Sequence, residues 1–337
     1  MKIAFFGLNK EDQTMFSGAF GGSEVSFIEG KLDENSVEKA KDAEIISVFV
    51  DSVVNKIVID SLPNLKYIST RSTGVDHIDY TYASTKGIKV SNVPGYGSHT
   101  VAEFTFGLIL NLSRKIIGAN NYVRESSDFN YFPGMEGVDL AGKTLGIIGT
   151  GKIGKNVVKI ARGFGMNVMA YDLHPDMSFA QENNFVYKTF NEVISGADIL
   201  TLHAPYTKEN HHLINKENIA TMKKGVYLIN TARGELIDTE ALISGLQKGI
   251  IAGAGLDVLE GERELKEEIE ILLSPEKAER FKDYKILLED HELMKMPNVI
   301  ITPHIAFYTR EAVSEILKIS LENIQGFLAG SLLNLVK

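Results

Sequence analysis

The chain has 337 residues, of which 44% are hydrophobic and 23% charged, and this length and composition predict two globular domains. Its net charge of −9 argues against a dedicated nucleic-acid-binding protein, because phosphate contacts require a basic surface. The absence of cysteine excludes disulfides, thiolate metal sites and cysteine nucleophiles, and it is consistent with the cytoplasmic location that we expect.

The first hundred residues alternate short apolar runs with polar, helix-compatible stretches. The runs predict strands at Lys2–Phe6, Glu24–Ile28, Glu44–Val50, Lys66–Thr70 and Ile88–Asn92. Such alternation is typical of βαβ units and a parallel sheet. Apolar residues three and four positions apart then predict a helix from His99 to Ile117. The loop Asn92–Gly97 before it, rich in Pro and Gly, predicts the first crossing between domains.

A second alternating series begins at Lys143 and predicts six further strands, the number expected of a complete dinucleotide-binding sheet. They lie at Thr144–Ile148, Met166–Tyr171, Asp198–His203, Val226–Asn230, Ile251–Asp257 and Asn298–Thr302. The charged segment Arg263–Met296 is interpreted as an insertion packed on the outside of this domain. The last predicted helix, Arg310–Leu328, returns to the first domain, which is therefore discontinuous: residues 1–98 and 305–337, surrounding a second domain of residues 99–304.

A glycine-rich loop follows the first strand of the second domain. It reads G-x-G-x-x-G, with glycines at 149, 151 and 154, and it precedes a predicted helix at Lys155–Phe164. In a dinucleotide-binding fold, Gly149 permits the tight turn, Gly151 lets the backbone approach the pyrophosphate, and Gly154 lets helix and strand pack closely. The start of the helix supplies free N–H groups for the phosphates. The motif alone is weak, but the strand–turn–helix context strengthens it.

An aspartate ends the next predicted strand and predicts which dinucleotide binds. Asp172 can accept hydrogen bonds from both hydroxyls of the adenosine ribose, and its charge would repel a 2′-phosphate. No arginine follows it, since the chain continues Leu173-His174-Pro175. We therefore predict NAD rather than NADP. A structural glycine turn ending in a surface aspartate is the alternative.

Three segments at the ends of later strands carry ionisable side chains suited to reducing a 2-keto acid. They contribute Arg233, Glu262 and His304. The guanidinium of Arg233 can hold a carboxylate or polarise the adjacent carbonyl. His304 can donate the proton, and Glu262 can orient the imidazole and stabilise its charged form. Taken singly, each residue also suits a surface or structural role; their shared position at strand ends favours catalysis.

Ordered motifs lie along nearly the whole chain, at Thr70–Asp79, Val101–Glu103, Gly149–Gly154 with Asp172, His203–Pro205, Asn230–Gly234, Asp257–Glu262 and Thr302–His304. Together they resemble the D-2-hydroxyacid dehydrogenase family. The resemblance implies an α/β protein of two doubly wound parallel-sheet domains with the active site in the cleft between them. One is a discontinuous flavodoxin-like substrate domain, and the other is an inserted Rossmann-like NAD-binding domain. It also implies the catalytic roles given above, and substrate carboxylate binding by the N–H groups of Thr73 and Gly74.

The same resemblance implies the NAD site and the assembly. Besides Gly149, Gly151 and Gly154, it assigns to NAD the residues Lys152, Ile153, Asp172, Ala204, Pro205, Asn210, Thr231, Ala232 and Asp257. Dimerisation through the cofactor domain is usual in this family, so we expect a two-fold homodimer. We expect no metal centre.

Within the family, the chain is most similar to the D-lactate dehydrogenases. Tyr96 matches their substrate-contacting tyrosine, and Phe307 and Tyr308 match a segment in which an aromatic side chain closes a small substrate pocket. Arg263 stands where phosphoglycerate dehydrogenases usually carry a proline after the catalytic glutamate. We therefore expect NADH-dependent reduction of a small 2-keto acid to the D-2-hydroxy acid, with pyruvate and D-lactate as the leading pair.

Two alternatives stay open. One is a broader reductase of hydroxypyruvate, glyoxylate or branched 2-keto acids, since one methylene changes discrimination by only about 1–3 kcal/mol. The other is a non-catalytic NAD(H)-sensing protein, because fold does not fix function; the presence of Arg233, Glu262 and His304 weighs against it. We expect no membrane partner, because no apolar run approaches the ~18 residues that would span a bilayer.

Overall fold

The structure is a computed structural model, and it describes residues 1–131, 133–262, 264–266, 268 and 284–336. The chain divides into two compact units, Met1–Tyr96 with Tyr308–Lys337, and Gly97–Phe307. Each unit contains one sheet whose described strands all run parallel. The predicted α/β class with two parallel sheets is therefore confirmed. Within the described ranges, every helix is too short or too polar to cross a membrane.

The elements alternate along the chain. The strands are β1 (Lys2–Phe6), β2 (Glu24–Ile28), β3 (Ile45–Val48), β4 (Tyr67–Thr70), β5 (Lys89–Ser91), β6 (Thr144–Ile148), β7 (Asn167–Tyr171), β8 (Val186–Tyr187), β9 (Ile199–Leu202), β10 (Val226–Asn230), β11 (Ile251–Leu256) and β12 (Val299–Ile301). The α-helices are α1 (Lys10–Phe16), α2 (Lys56–Asp60), α3 (Tyr80–Thr85), α4 (Ser98–Arg114), α5 (Ile116–Ser126), α6 (Lys152–Gly163), α7 (Met177–Glu182), α8 (Phe190–Gly196), α9 (Lys216–Ile219), α10 (Thr239–Gln247), α11 (Tyr284–Lys295) and α12 (Arg310–Leu328). Short 3₁₀ turns lie at Val37–Ala40, Lys208–Asn210 and Gly234–Leu236.

The sheet of the first unit has the strand order β2-β1-β3-β4-β5, which is the flavodoxin-like order. Every residue of β3 and β4 is buried, as expected for inner strands of a parallel sheet covered on both faces. The five strands expected from the sequence are all present. The last three are one to three residues shorter than expected, because ladder hydrogen bonds end before the apolar runs do.

The final helix belongs to the first unit, as the sequence predicts. Helix α12 packs against β4 and α1. The rings of Tyr67 and Phe327 stack with centroids 4.3 Å apart, and the Tyr67 hydroxyl donates to the carbonyl of Asn323 at 3.2 Å. Stacking on the buried Tyr67, whose hydroxyl is satisfied, fixes this helix on the sheet although some 240 residues separate it from β4 along the sequence.

The sheet of the second unit has the order β12-β11-β10-β9-β6-β7-β8. Starting from β8 this is the doubly wound Rossmann order, 3-2-1-4-5-6, with one further strand. The sequence analysis missed β8, whose two residues Val186 and Tyr187 pair with Met169 and Ala170. A two-residue strand carries no detectable alternation, so only its pairing defines it. The order reverses between β6 and β9, and ligands of such sheets bind outside the carboxyl ends of strands at that point.

Two helices begin or end where backbone conformation dictates. The helix expected to reach Ile117 ends at Arg114, because Lys115 takes a left-handed conformation (φ 53°) and a new helix, α5, starts after it. Helix α6 starts at Lys152, three residues earlier than expected, with Gly151 as its N-cap. The glycine loop is thus shorter than predicted, and its last glycine lies inside the helix.

The segment predicted as an insertion, 263–296, is described only in part. Residues 263, 267 and 269–283 lie outside the described residues. In the described part, α11 packs against α10 and β12 of its own unit and buries Leu287 and Leu293. This much of the segment packs on the second unit, where the sequence analysis placed the insertion.

Candidate active site

The glycine loop has the geometry that its spacing predicts. Gly149 takes φ 94°, and a Cβ there would lie 2.8 Å from backbone atoms of His203 and Ala204. A Cβ at Gly154 would lie 2.1 Å from the carbonyl oxygen of Gly149, so no side chain fits between helix and strand. A Cβ at Gly151 would meet nothing within 4 Å. Gly149 and Gly154 are therefore required by the protein's own packing, whereas Gly151 faces open space at the start of α6, where a pyrophosphate fits.

Asp172 is oriented by the glycine loop itself. One carboxylate oxygen accepts hydrogen bonds from the N–H and hydroxyl of Thr150 at 2.6 and 2.9 Å, and the other accepts the N–H of His174 at 2.8 Å. Burial would raise the pKa of Asp172, but the hydrogen bonds from His174 and Thr150 outweigh it and lower that pKa below its ordinary value. The carboxylate therefore stays charged and fixed beside the loop, as a ribose-binding acceptor should be.

The other residues predicted to line the NAD site follow strands at the same edge of the second sheet or begin α6. They are Ala204 and Pro205 after β9, Thr231 and Ala232 after β10, and Lys152 and Ile153 at the start of α6. Asn210 donates to the carbonyl of Pro205 at 2.8 Å and accepts the N–H of Thr207 at 2.7 Å, so it shapes this loop from within. Together with Gly151 and Asp172, these loops fit an NAD molecule.

His304 and Glu262 form the pair that the sequence predicts. The Nδ1 of His304 lies 2.9 Å from both carboxylate oxygens of Glu262, and the two side chains are 29% and 27% exposed. This contact fixes the imidazole with Nδ1 toward the carboxylate. Among the described residues, the opposite nitrogen, Nε2, has no hydrogen-bond partner. A proton on Nε2 is therefore available to a bound molecule.

Glu262 stays ionised, which is what its proposed role requires. Burial would raise its pKa, but hydrogen bonds and charge from His304 and Lys266 outweigh burial and lower that pKa to about 2. Lys266 donates to one oxygen at 2.6 Å. The sequence analysis did not single out Lys266; its position four residues after Glu262 was the available signal, because side chains four apart meet on a helix.

A buried aspartate holds the loop that carries His304. Asp257 is 1% exposed and accepts hydrogen bonds from the Thr302 hydroxyl at 2.5 Å, the Ile305 N–H at 2.9 Å and the Ala306 N–H at 2.8 Å. His304 itself has φ 55°, an uncommon conformation that surrounding bonds must maintain. Burial raises the pKa of Asp257, although these hydrogen bonds oppose the shift. Both oxygens are thus engaged by the protein, and Asp257 positions the histidine loop. Its predicted contact with NAD stays a prediction.

The loop carrying Arg233 is shaped by the buried Asn230. Its side chain accepts the Ala232 N–H at 3.0 Å and donates to the Arg233 carbonyl at 2.7 Å. A Cβ at Gly234 would lie 2.0 Å from the carbonyl carbon of Leu259, so the glycine lets this loop touch the segment that leads to Glu262. The local motif therefore joins two catalytic candidates through backbone contact. The role of Asn230 was not recognised from the sequence.

A second buried carboxyl lies behind Glu262. Asp290, on α11, is fully buried and accepts the Gly261 N–H at 3.1 Å, while its other oxygen has no partner among the described residues. Burial and nearby carboxylates outweigh that hydrogen bond and raise the pKa of Asp290 to about 7. Nothing in the sequence distinguishes it from the other acidic residues of this charged helix.

A cavity of about 580 Å³ adjoins the His304–Glu262 pair within the second unit. Its lining is mostly apolar and includes Ile117, Leu259, Leu265 and Met294. The cavity therefore leaves room for a bound molecule beside the pair.

In the first unit, the loop after β4 presents two free backbone donors. The Thr73 hydroxyl donates to Val93 O at 2.7 Å, Asn92 donates to Thr73 O at 2.8 Å, and the Ser72 hydroxyl donates to Gly74 O at 2.7 Å. The N–H groups of Thr73 and Gly74 have no acceptor among the described residues. Two adjacent amide donors on a braced loop suit a carboxylate, which is the ligand predicted for them.

The aromatic residues predicted to shape the substrate pocket flank the two points at which the chain passes from one unit to the other. Tyr96 ends the first segment of the first unit, Phe307 ends the second unit, and Tyr308 follows it. Tyr308 is 66% exposed. Their contacts with substrate stay a prediction.

Residues 106–306 match the family model described as D-isomer specific 2-hydroxyacid dehydrogenase, NAD binding domain. An aromatic 2-oxoacid reductase from Clostridium sporogenes is 41% identical over 319 residues, or 93% of this chain and 91% of that protein. A glyoxylate reductase from Thermofilum pendens is 36% identical over 312 residues, or 89% and 82%. The structure of D-lactate dehydrogenase from Aquifex aeolicus, complexed with NAD and lactic acid, is similar with a TM-score of 0.85 and 38% identity, covering 97% of this chain and 96% of that one. The matched domain confirms the prediction of NAD as the cofactor.

Proposed function

This chain belongs to the D-isomer specific 2-hydroxyacid dehydrogenases, and on that basis we propose that it reduces a small 2-keto acid to the D-2-hydroxy acid, pyruvate to D-lactate in the first place. The observation that carries the proposal is the His304–Glu262 pair, with Nε2 of the imidazole free, in the same unit as the NAD-binding loops. The similar structure in complex with NAD and lactic acid supports pyruvate.

NADH, when bound, supplies the hydride that reduces the keto carbon. His304 donates the Nε2 proton to the carbonyl oxygen as negative charge develops on it, and in the oxidation direction the neutral imidazole takes that proton back. Glu262 stabilises the imidazolium that precedes reduction, because its own pKa of about 2 keeps it charged at any working pH. Asp257 holds the His304 loop during both steps.

The substrate carboxylate is bound by cationic and backbone donors. We assign Arg233 to the carboxylate and the adjacent carbonyl, since a guanidinium offers paired donors to such a group. In the first unit, the N–H groups of Thr73 and Gly74 are assigned as donors to a carboxylate. Tyr96, Phe307 and Tyr308 are assigned to the side chain of the keto acid and set its size.

A larger substrate is the competing proposal. The Clostridium sporogenes protein at 41% identity is an aromatic 2-oxoacid reductase, and the Thermofilum pendens protein is a glyoxylate reductase. The catalytic residues serve any of these acids equally, because the reaction at the keto carbon is the same. Only the residues around the substrate side chain distinguish them, and each methylene is worth about 1–3 kcal/mol there.

Kinetics with a series of keto acids tests the proposal. We expect pyruvate to give the highest kcat/KM when NADH oxidation at 340 nm is followed with glyoxylate, pyruvate, hydroxypyruvate, 2-ketoisocaproate and phenylpyruvate. The lactate formed from pyruvate should be oxidised by a D-lactate-specific enzyme and not by an L-lactate-specific one. A higher kcat/KM for phenylpyruvate would show that the preferred substrate is an aromatic keto acid, and the proposed reaction would still stand. Tight NADH binding without turnover of any acid would contradict the reaction itself.

Replacement of Asp172 by serine should reduce the preference for NADH over NADPH. The expected change in the ratio of kcat/KM values is about 10–100-fold, because one charge-assisted contact is lost and one charge repulsion removed. Serine keeps an acceptor for the Thr150 N–H, so the loop should hold its shape. Exposed Asp139 offers the matched control, since Asp139→Ser removes an equal charge elsewhere. An unchanged ratio of the NADH and NADPH kcat/KM values in the Asp172 variant would show that Asp172 does not bind the adenosine ribose.

We propose further that two copies associate through the second unit at α5 and the segment after it. Helix α5 buries none of its side chains, and Ile116 and Ile117 are 51% and 44% exposed. Phe129 and Tyr131 are 91% and 93% exposed. A run of large apolar side chains open to water is costly in a monomer and typical of an association surface. A second copy is the partner that the expected two-fold assembly supplies.

The double variant Phe129→Ser/Tyr131→Ser should convert the dimer to a monomer. These side chains contribute little to the fold of a single chain, so the thermal unfolding midpoint at low concentration should change little, whereas light scattering after size exclusion should report one chain rather than two. Leu288→Ser, which removes an apolar side chain 69% exposed on α11, controls for general surface changes. If the wild-type protein were a monomer, or if the double variant stayed a dimer, this surface would be excluded as the dimer interface.

A further inference from the structure

A second cluster of histidine and carboxylate lies on the loop that follows β9. We propose that His211, His212 and Glu260 form a binding site for a divalent transition cation of borderline softness, with Zn²⁺ as the representative ion. The sequence analysis named no metal site, and neither the dehydrogenase reaction nor the cofactor requires one. The proposal is independent of which keto acid is reduced.

The ligand atoms lie close enough for one ion. One nitrogen from each histidine and one oxygen from Glu260 all lie within 4.8 Å of one another. The Nε2 of His212 is 2.8 Å from Oε1 of Glu260. Ligands of a tetrahedral zinc ion, at bond lengths of ~2.0–2.1 Å, are roughly 3.3 Å apart, so shifts of about an ångström or less complete the site.

The donor set suits zinc chemistry. Two imidazoles with one carboxylate is an established ligand combination for zinc sites that leave one position to water. Hard ions such as Mg²⁺ prefer all-oxygen ligands and would bind here poorly. The chain has no cysteine to compete as a softer ligand. Of the clusters formed by described residues, this is the one that groups three such ligands within reach of a single ion.

The surrounding structure holds two of the ligands in place. His212 takes φ 53°, and its N–H donates to the carbonyl of Glu235 at 2.9 Å. The Glu260 side chain is 10% exposed, and its Oε2 accepts the Thr239 hydroxyl at 3.2 Å, which leaves Oε1 directed at His212. A preorganised carboxylate with a fixed second contact is the usual support of a metal ligand.

His211 is the adaptable ligand. It is exposed, and its ring stacks on that of His212 with centroids 3.8 Å apart and an interplanar angle of 23°. Its other contact among the described residues is long, 3.5 Å from Nδ1 to the Tyr206 hydroxyl. Small rotations of this ring bring a nitrogen to the ion without loss of a strong hydrogen bond.

A bound ion would join two parts of the second unit. His211 and His212 follow Asn210, on the loop that carries the NAD candidates Ala204 and Pro205, whereas Glu260 is two residues before Glu262. The ion would therefore restrain the cofactor loop and the catalytic segment together. Such a restraint raises the stability of the folded chain as the ion concentration rises.

The test is binding of Zn²⁺ to the metal-free full-length protein, measured by calorimetry and by competition with a chromophoric chelator. We expect one ion per chain, an increase in the thermal unfolding midpoint with Zn²⁺, and the visible absorption of low-coordinate Co²⁺ when cobalt replaces zinc. His211→Ala and Glu260→Gln should each weaken binding by about tenfold or more, since even outer contacts of metal ligands are worth ~10–100-fold. His211→Ala alters an exposed side chain, so its unfolding midpoint without metal should match the wild type.

Two controls separate this cluster from other histidines. His99→Ala changes an exposed histidine on α4, and His304→Asn removes the histidine of the His304–Glu262 pair. Both should bind Zn²⁺ as the wild type does. Equal affinity in the wild type and His211→Ala, or loss of binding in His304→Asn alone, would overturn the proposal. The proposal would also be overturned if the double variant His211→Ala/Glu260→Gln bound Zn²⁺ as tightly as the wild type.

Discussion

Replacement of His304 by asparagine should lower kcat for keto-acid reduction by about 10²–10⁴-fold, because a positioned general acid contributes on that order. Asparagine is the matched substitution, since it tolerates the left-handed conformation that His304 adopts at φ 55°. The loop bonds to Asp257 involve neighbouring backbone groups and stay intact. Stopped-flow measurement of NADH oxidation gives kcat, and fluorescence titration gives NADH affinity, which should be unchanged.

The pH dependence separates loss of a proton donor from a structural effect. In the wild type, reduction consumes a proton and oxidation of the hydroxy acid releases one, so reduction should weaken and oxidation should strengthen as pH rises. Glu262 does not contribute to this dependence above pH 4, because its pKa is lowered to about 2. The small residual rate of the asparagine variant should lack both trends. Opposite trends that persist in the variant would assign the proton transfer to another group.

Replacement of Asp290 by asparagine should raise the free energy of unfolding relative to the wild type, and this gain should be larger at pH 8 than at pH 4.5 by on the order of 3 kcal/mol. Burial raises the pKa of Asp290 to about 7, above its ordinary value of 3.8. Between these values the folded state holds a proton that the unfolded state releases, so wild-type stability is fully present below pH 4 and declines as pH rises through 7. Asparagine carries no charge and still offers an oxygen to the Gly261 N–H.

Urea unfolding of both proteins across pH 4.5 to 8 measures this difference. The free energies of wild type and variant should agree at low pH and diverge as pH rises, with the variant more stable. Asp139→Asn, at an exposed position, should follow the wild type at every pH. Parallel curves for wild type and Asp290→Asn would mean that the buried carboxyl is neutral or charged throughout, and would remove it as a source of pH-dependent stability.

Much of the local architecture follows from the sequence alone. The strands β1, β2, β6 and β10 have the bounds that apolar runs predict, and α12 has the bounds that its spacing predicts. The role of the glycine motif also follows from the sequence. Gly149 must take a positive φ and Gly154 must let the helix approach the strand closely, and both requirements arise within a few residues of chain. Side-chain periodicity and glycine spacing report interactions between near neighbours, and those are encoded locally.

Tertiary structure decided the supports of the site. Asn230 and Asp257 act through hydrogen bonds to loops, in the second case more than forty residues along the chain. Asp290 acquires its raised pKa because the fold buries its carboxyl, which outweighs the hydrogen bond from Gly261. The strand β8 exists through its pairing with β7. Sequence identifies residues able to do chemistry, but burial and partners, which require the whole fold, determine which carboxyl is charged, which nitrogen is free and which aspartate holds a catalytic loop.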